Sequence, residues 1–184
     1  MKFNIPNCLT LFRILLIPGI MYLFLLNTES SRFFAFLFFL IASITDYLDG
    51  FFARYMKQHT SFGEFLDPIA DKLLVITTLI LLLSENNDIF FVIPVVIIIS
   101  REFLVIAIRQ RLAEAGGQIK LKVILISKFK TAIQLFALLM LIYKYHFFGV
   151  DIYILGIYFL QVASLLTLIS FFYYAKKSWD VIIK

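Results

Sequence analysis

The apolar residues of this chain fall into six blocks, at roughly residues 9–27, 33–55, 67–84, 88–112, 123–145 and 151–175. A helix needs about 20 apolar residues to cross a bilayer, and each block comes close to that length or exceeds it. The breaks between them (NTESSR, MKQHTSFGEF, SENND, AGGQIKLK and HFFGVD) are too short to hold a soluble domain. The pattern predicts an all-α integral membrane protein of six transmembrane helices, with residues 1–184 forming a single domain. Composition agrees. The chain is 62% hydrophobic and 17% aromatic, with a mean hydropathy of +0.96, far from the polar surface that a soluble domain requires. Arg13 and Pro18 interrupt the first block, and no small-residue cleavage site follows it, so it reads as a span and not as a secretory signal. The single cysteine, Cys8, excludes an internal disulfide.

Charge sets the orientation. Six spans bring both termini to one side, which also receives the loops at 56–66 and 110–122. Of the 17 Lys and Arg, only Arg32 and Lys144 fall on the opposite side. Positive residues gather on the cytoplasmic face of membrane proteins, so both termini are expected in the cytoplasm.

One stretch does not suit so apolar a chain. DYLDGFFARYMKQHTSFGEFLDPIAD carries Asp46, Asp49, Asp67 and Asp71 at the cytoplasmic ends of spans two and three. A carboxylate at the centre of a bilayer costs about 2.5–3.5 kcal/mol, and less towards the interface, so each implies a partner. Asp46 and Asp49 are one turn apart on span two, and Asp67 and Asp71 one turn apart on span three. The short loop makes these spans an antiparallel hairpin that can bring the two pairs face to face. Four such carboxylates cannot all ionise without a counterion. An all-oxygen set favours Mg²⁺ or Mn²⁺ over zinc, and two such ions would form a clamp suited to phosphoryl transfer.

Gly50, Ala53 and Arg54 share a stripe of roughly 140° with Asp46 and Asp49, at about 100° per helical residue. The small residues leave room for a flat or bulky ligand, and Arg54 offers a planar fork for phosphate. Gly63, before span three, permits a tight turn or close approach. Plainer readings compete. Small residues on a membrane helix often mark helix packing. The aspartates could also line an ion pathway in a divalent-cation transporter. A calcium loop is a poor match, because Leu48 stands where the alternating acids of an EF-hand require a ligand.

The stretch has the form D-x2-D-G-x2-A-R-x8-G-x3-D-x3-D, with every fixed position filled. In this it resembles the CDP-alcohol phosphotransferases, six-helix membrane enzymes of phospholipid synthesis, and the resemblance covers essentially the whole chain. It implies that Asp46, Asp49, Asp67 and Asp71 hold two Mg²⁺ or Mn²⁺ ions per active site, and that Asp71 is also the general base. It further implies that CDP-diacylglycerol is bound by Asp49, Gly50, Ala53, Arg54 and Thr60, with Asn7 and Thr10 contributing from the first span. Homodimers in a bacterial cytoplasmic membrane, with the active site facing the cytoplasm, are the family's habit. Nucleic acid has no part in its chemistry.

Three further segments, NIPNCLTLFRILLIP, SREFLVIAIR and KFKTAIQ, look like those of members whose acceptor is sn-glycerol 3-phosphate. Ser127 stands where that group usually has Gly. A phosphate dianion needs a basic pocket, for which Arg101, Arg109, Lys128 and Lys130 are available. Arg101 and Arg109 lie within about 80° of each other on span four. Cations at span ends are also common membrane anchors, the reading given to Lys120, Lys122, Lys176, Lys177 and Lys184. Members that form cardiolipin or phosphatidylinositol phosphate remain alternatives for the acceptor. Glu102 is expected to partner a nearby base, and His59 and His146 are read as lying outside the chemistry.

Overall fold

The computed structural model describes residues 5–56, 61–114, 125–147 and 149–182. Among them are six helices: α1 (Ile5–Leu26), α2 (Glu29–Met56), α3 (Ser61–Leu83), α4 (Ile89–Glu114), α5 (Leu125–Tyr143) and α6 (Ile152–Ile182). A two-residue antiparallel ladder joins β1 (His146–Phe147) to β2 (Val150–Asp151) between α5 and α6. Among the described residues, each expected span coincides over most of its length with one helix. Asn7–Leu26, Ile89–Leu112 and Ile152–Lys176 are long and apolar enough to cross a membrane, and Phe129–Tyr143 is a shorter apolar helix. Large apolar side chains such as Leu15, Leu25, Phe90, Phe136 and Phe172 remain exposed. On a soluble protein they would be a liability; such exposure is consistent with an all-α membrane protein.

The helix ends are marked by local chemistry. Asn27 takes φ 47° just past α1, and its N–H closes the turn on the Phe24 carbonyl at 3.2 Å. Thr28 then starts α2 by a reciprocal cap. The Ser31 N–H donates to Thr28 Oγ1 at 3.2 Å, and the Thr28 N–H donates to Ser31 Oγ at 3.0 Å. Asp88 caps α4 through the Phe90 N–H, and Asp151 caps α6 through the Tyr153 N–H, both at 3.0 Å.

The chain divides into two compact units. The first holds α1, α2 and α3 with Leu138–Tyr153. Ile20, Phe24, Phe39, Ala42, Leu79 and Leu82 are among its buried residues. A Cβ on Gly19 would come 3.1 Å from the Phe38 ring, so α1 and α2 pack there at a distance only glycine allows comfortably. Arg32 and Lys144, the two cations expected to lie opposite the other charges, both belong to this unit. Arg32 is 1% exposed, lies 3.6 Å over the Phe24 ring and is ion-paired with Glu85. Lys144 Nζ reaches the other Glu85 oxygen at 3.4 Å. Glu85 thus gives both of these cations an acidic partner. Glu85→Gln should leave the buried guanidinium without its counter-charge and cost on the order of 2 kcal/mol, seen as a lower thermal unfolding temperature in detergent. An unfolding temperature equal to that of the wild type would count against this account.

The second unit holds Asn86–Ala137 with Ile154–Lys184, around Phe91, Val95, Ile98, Leu160 and Ala163. Pro94 interrupts α4 and has no N–H to give the Phe90 carbonyl one turn back. Gln161 Nε2 supplies the missing donor at 3.5 Å.

Candidate active site

The acidic pairs of α2 and α3 are met by α1. Asn7, Thr10 and Arg13 recur every third residue and form a polar stripe on a helix that is otherwise apolar. They are 7%, 0% and 0% exposed, so the stripe faces inward. Arg13 Nη1 lies 2.7 Å from Asp46 Oδ1, while the Asp46 side chain keeps 46% of its exposure. Thr10 Oγ1 donates to Asp67 Oδ1. Residues one turn apart on α1 thus bind carboxylates from two different helices. Asp46 and Asp67 are near enough for their like charges to repel. Asp71 follows Asp67 by one turn on α3 and is half-buried. Pro68 stands between them and removes one helical hydrogen bond from that segment.

Asp49, Gly50, Ala53 and Arg54 lie on the same unbroken helix as Asp46, which gives their expected spacing a helical backbone. Their side chains lie outside the described set, and Thr60 lies outside the described residues. Among the described side chains, no three Asp, Glu, His or Cys converge closely enough to hold a metal by themselves. The donors that are described nevertheless suit one. They are hard carboxylate oxygens drawn from neighbouring helices, Asp46 from α2 and Asp67 and Asp71 from α3.

The cations expected at the acceptor are placed unequally in the second unit. Arg101 and Lys130 are buried, at 7% and 3% exposure, whereas Arg109, two turns further along α4, is exposed. Arg101 Nη1 and Lys130 Nζ donate to the same oxygen, Glu102 Oε1, at 3.0 and 3.1 Å. Glu102 is thus the partner to bases that its position suggested. Lys128 lies in the first turn of α5, with its side chain outside the described set.

Sequence reasoning missed Arg13, which it counted only as a cytoplasmic-side charge and a break in an apolar block. The signal was available in the three-residue recurrence of Asn7, Thr10 and Arg13.

An all-helical membrane chain with acids clustered at the ends of α2 and α3 defines a narrow class. The family profile for CDP-alcohol phosphatidyltransferase matches residues 3–175, and the chain belongs to that family. It is therefore an enzyme, a transferase of phospholipid synthesis, in a family that generally uses divalent metal ions. Among its relatives, the Haemophilus influenzae protein is 43% identical over 176 residues, covering 96% of this chain and 94% of that one. The Wigglesworthia glossinidia brevipalpis protein is 39% identical over 175 residues, covering 95% and 96%. The Escherichia coli K12 protein is 40% identical over 174 residues, covering 95% and 94%. All three carry the name CDP-diacylglycerol–glycerol-3-phosphate 3-phosphatidyltransferase.

Proposed function

We propose that this chain transfers the phosphatidyl group of CDP-diacylglycerol to the hydroxyl of sn-glycerol 3-phosphate, giving phosphatidylglycerophosphate and CMP. The observation that carries this reading is the meeting of α1, α2 and α3 on Asp46 and Asp67, in a family member matched along nearly its whole length by relatives named for that reaction. Asp46, Asp49, Asp67 and Asp71 would hold two divalent ions, Mg²⁺ or Mn²⁺. Bound there, the metals would neutralise the diphosphate and the charge that develops on it during transfer.

The chain's own residues do the rest. Asp71 takes the proton from the acceptor hydroxyl. The freed oxygen attacks the phosphorus that carries the diacylglycerol, a new P–O bond forms, and the bond to the CMP oxygen breaks. No covalent enzyme intermediate is required. Gly50 and Ala53 leave room for the cytidine beside Asp49, Arg54 and Thr60 bind the phosphates, and Asn7 and Thr10 lie at the nucleotide's edge. Arg101 and Lys130, with Arg109 and Lys128, bind the acceptor's phosphate. Both termini and the site face the cytoplasm, six helices span the cytoplasmic membrane of a bacterium, and the working form is a homodimer.

The test is CMP release by the purified protein in detergent with CDP-diacylglycerol and Mg²⁺. Acceptors compared would be sn-glycerol 3-phosphate, inositol phosphate, phosphatidylglycerol and serine. Release is expected only with sn-glycerol 3-phosphate, and chelation of the metal should abolish it. Release with another acceptor alone would overturn the substrate, and release with none would overturn the reaction.

A further inference from the structure

The buried polar cluster of the second unit contains more than the expected cations. Arg101, 7% exposed on α4, is held at both ends of its fork. Nη1 donates to Glu102 Oε1 at 3.0 Å, and Nη2 donates to Ser170 Oγ on α6 at 3.2 Å. Ser170, 4% exposed, spends its own hydrogen on the Thr167 carbonyl at 2.9 Å. Its lone pairs are therefore what it turns towards the guanidinium, and the chain of bonds has one direction.

The third kind of donor is treated differently. Arg101 Nε is buried and has no hydrogen-bond partner among the described residues. An unmet buried donor costs about 1–3 kcal/mol, and more when it is charged. An arginine that receives an anion must keep a donor in reserve, aimed in a fixed direction. Thr167 Oγ1, 0% exposed, is likewise buried without a partner among the described residues.

We propose that Ser170 is a positioning residue for the acceptor: with Glu102, it fixes the Arg101 fork so that the Nε–H is presented to the phosphate dianion of the incoming alcohol. This rests on the assignment of Arg101 to the acceptor's phosphate and adds α6 to the elements that decide which acceptor is accepted. Ser170 does not touch the substrate; it removes rotational freedom from the group that does.

The test compares steady-state constants for the full-length protein in detergent, with both substrates varied. Ser170→Ala should raise KM for sn-glycerol 3-phosphate about tenfold, the worth of one hydrogen bond to a charged group. Its kcat and its KM for CDP-diacylglycerol should stay within about twofold, because only acceptor binding is weakened. Ser170→Thr, which keeps the hydroxyl, should restore the wild-type KM. Ser170→Cys, a weak acceptor of similar size, should follow the alanine and serves if alanine disturbs folding. Arg101→Lys is the benchmark and should raise the same KM at least as much. If it does and Ser170→Ala changes nothing, the positioning role fails while the acceptor assignment stands. If Arg101→Lys changes nothing, the assignment fails and the proposal with it. A rise in both KM values together with a lower unfolding temperature would mark Ser170 as structural and overturn the proposal.

Discussion

Asp71→Asn is expected to lower CMP release by about 10³-fold, within the range of 10²–10⁴ that a positioned general base contributes. The substitution keeps the shape of the side chain and removes its charge and its basicity. Asp71 lies one turn beyond Asp67, and it is Asp67 that Thr10 binds, so that hydrogen bond between α1 and α3 remains in the variant. The variant should accordingly fold and unfold like the wild type while failing at the transfer. Single-turnover CMP release with sn-glycerol 3-phosphate, measured beside a thermal melt, decides the matter. Activity within tenfold of wild type would remove Asp71 from the role of base.

The second large effect is expected at Arg13. Its guanidinium is fully buried 2.7 Å from Asp46, whose carboxylate is partly open to solvent. Breaking a fully buried ion pair costs about 3–5 kcal/mol, and access of water to Asp46 reduces this, so Arg13→Gln should lose about 2 kcal/mol of stability. The loss should depend on metal. In chelator, the acids of α2 and α3 repel without their internal cation; in excess Mg²⁺, a bound ion offsets the same charge. The melting temperature of the variant should therefore rise with Mg²⁺ by more than that of the wild type. Activity should fall by about 10–100-fold, as it does when the support of a metal ligand is removed. A variant as stable in chelator as the wild type would show that Arg13 is not the counter-charge of this site.

Much of the architecture was legible because bilayer thickness dictates the length of an apolar block. The expected span at 33–55 became Glu29–Met56, with the extra turn supplied by a Thr28–Ser31 cap that hydropathy does not record. α6 runs on to Ile182, beyond the expected 175, because helical hydrogen bonding does not stop where apolar residues do. The acidic pairs were legible as helical pairs for the same reason: one turn is one turn in any solvent.

What escaped was the difference between a cation that anchors and a cation that is buried. Arg13, Arg101 and Arg109 look alike to a charge count, yet the first two are buried and the third is exposed. Glu85 gave even less away. Its pairing with Arg32 and Lys144 joins residues far apart in sequence and follows no local period.

The position of Arg13 also bears on how the protein can be made. Chains enter a membrane as they are synthesised, N-terminal segments first. α1 carries the guanidinium and precedes α2, so the basic partner is in place before Asp46 leaves the ribosome. An acidic hairpin arriving without it would have to remain protonated, or wait for an ion from the cytoplasm, to avoid the cost of a bare carboxylate beside lipid. The order of the helices supplies a basic partner for Asp46 before that acid arrives, so this carboxylate need not enter the membrane bare.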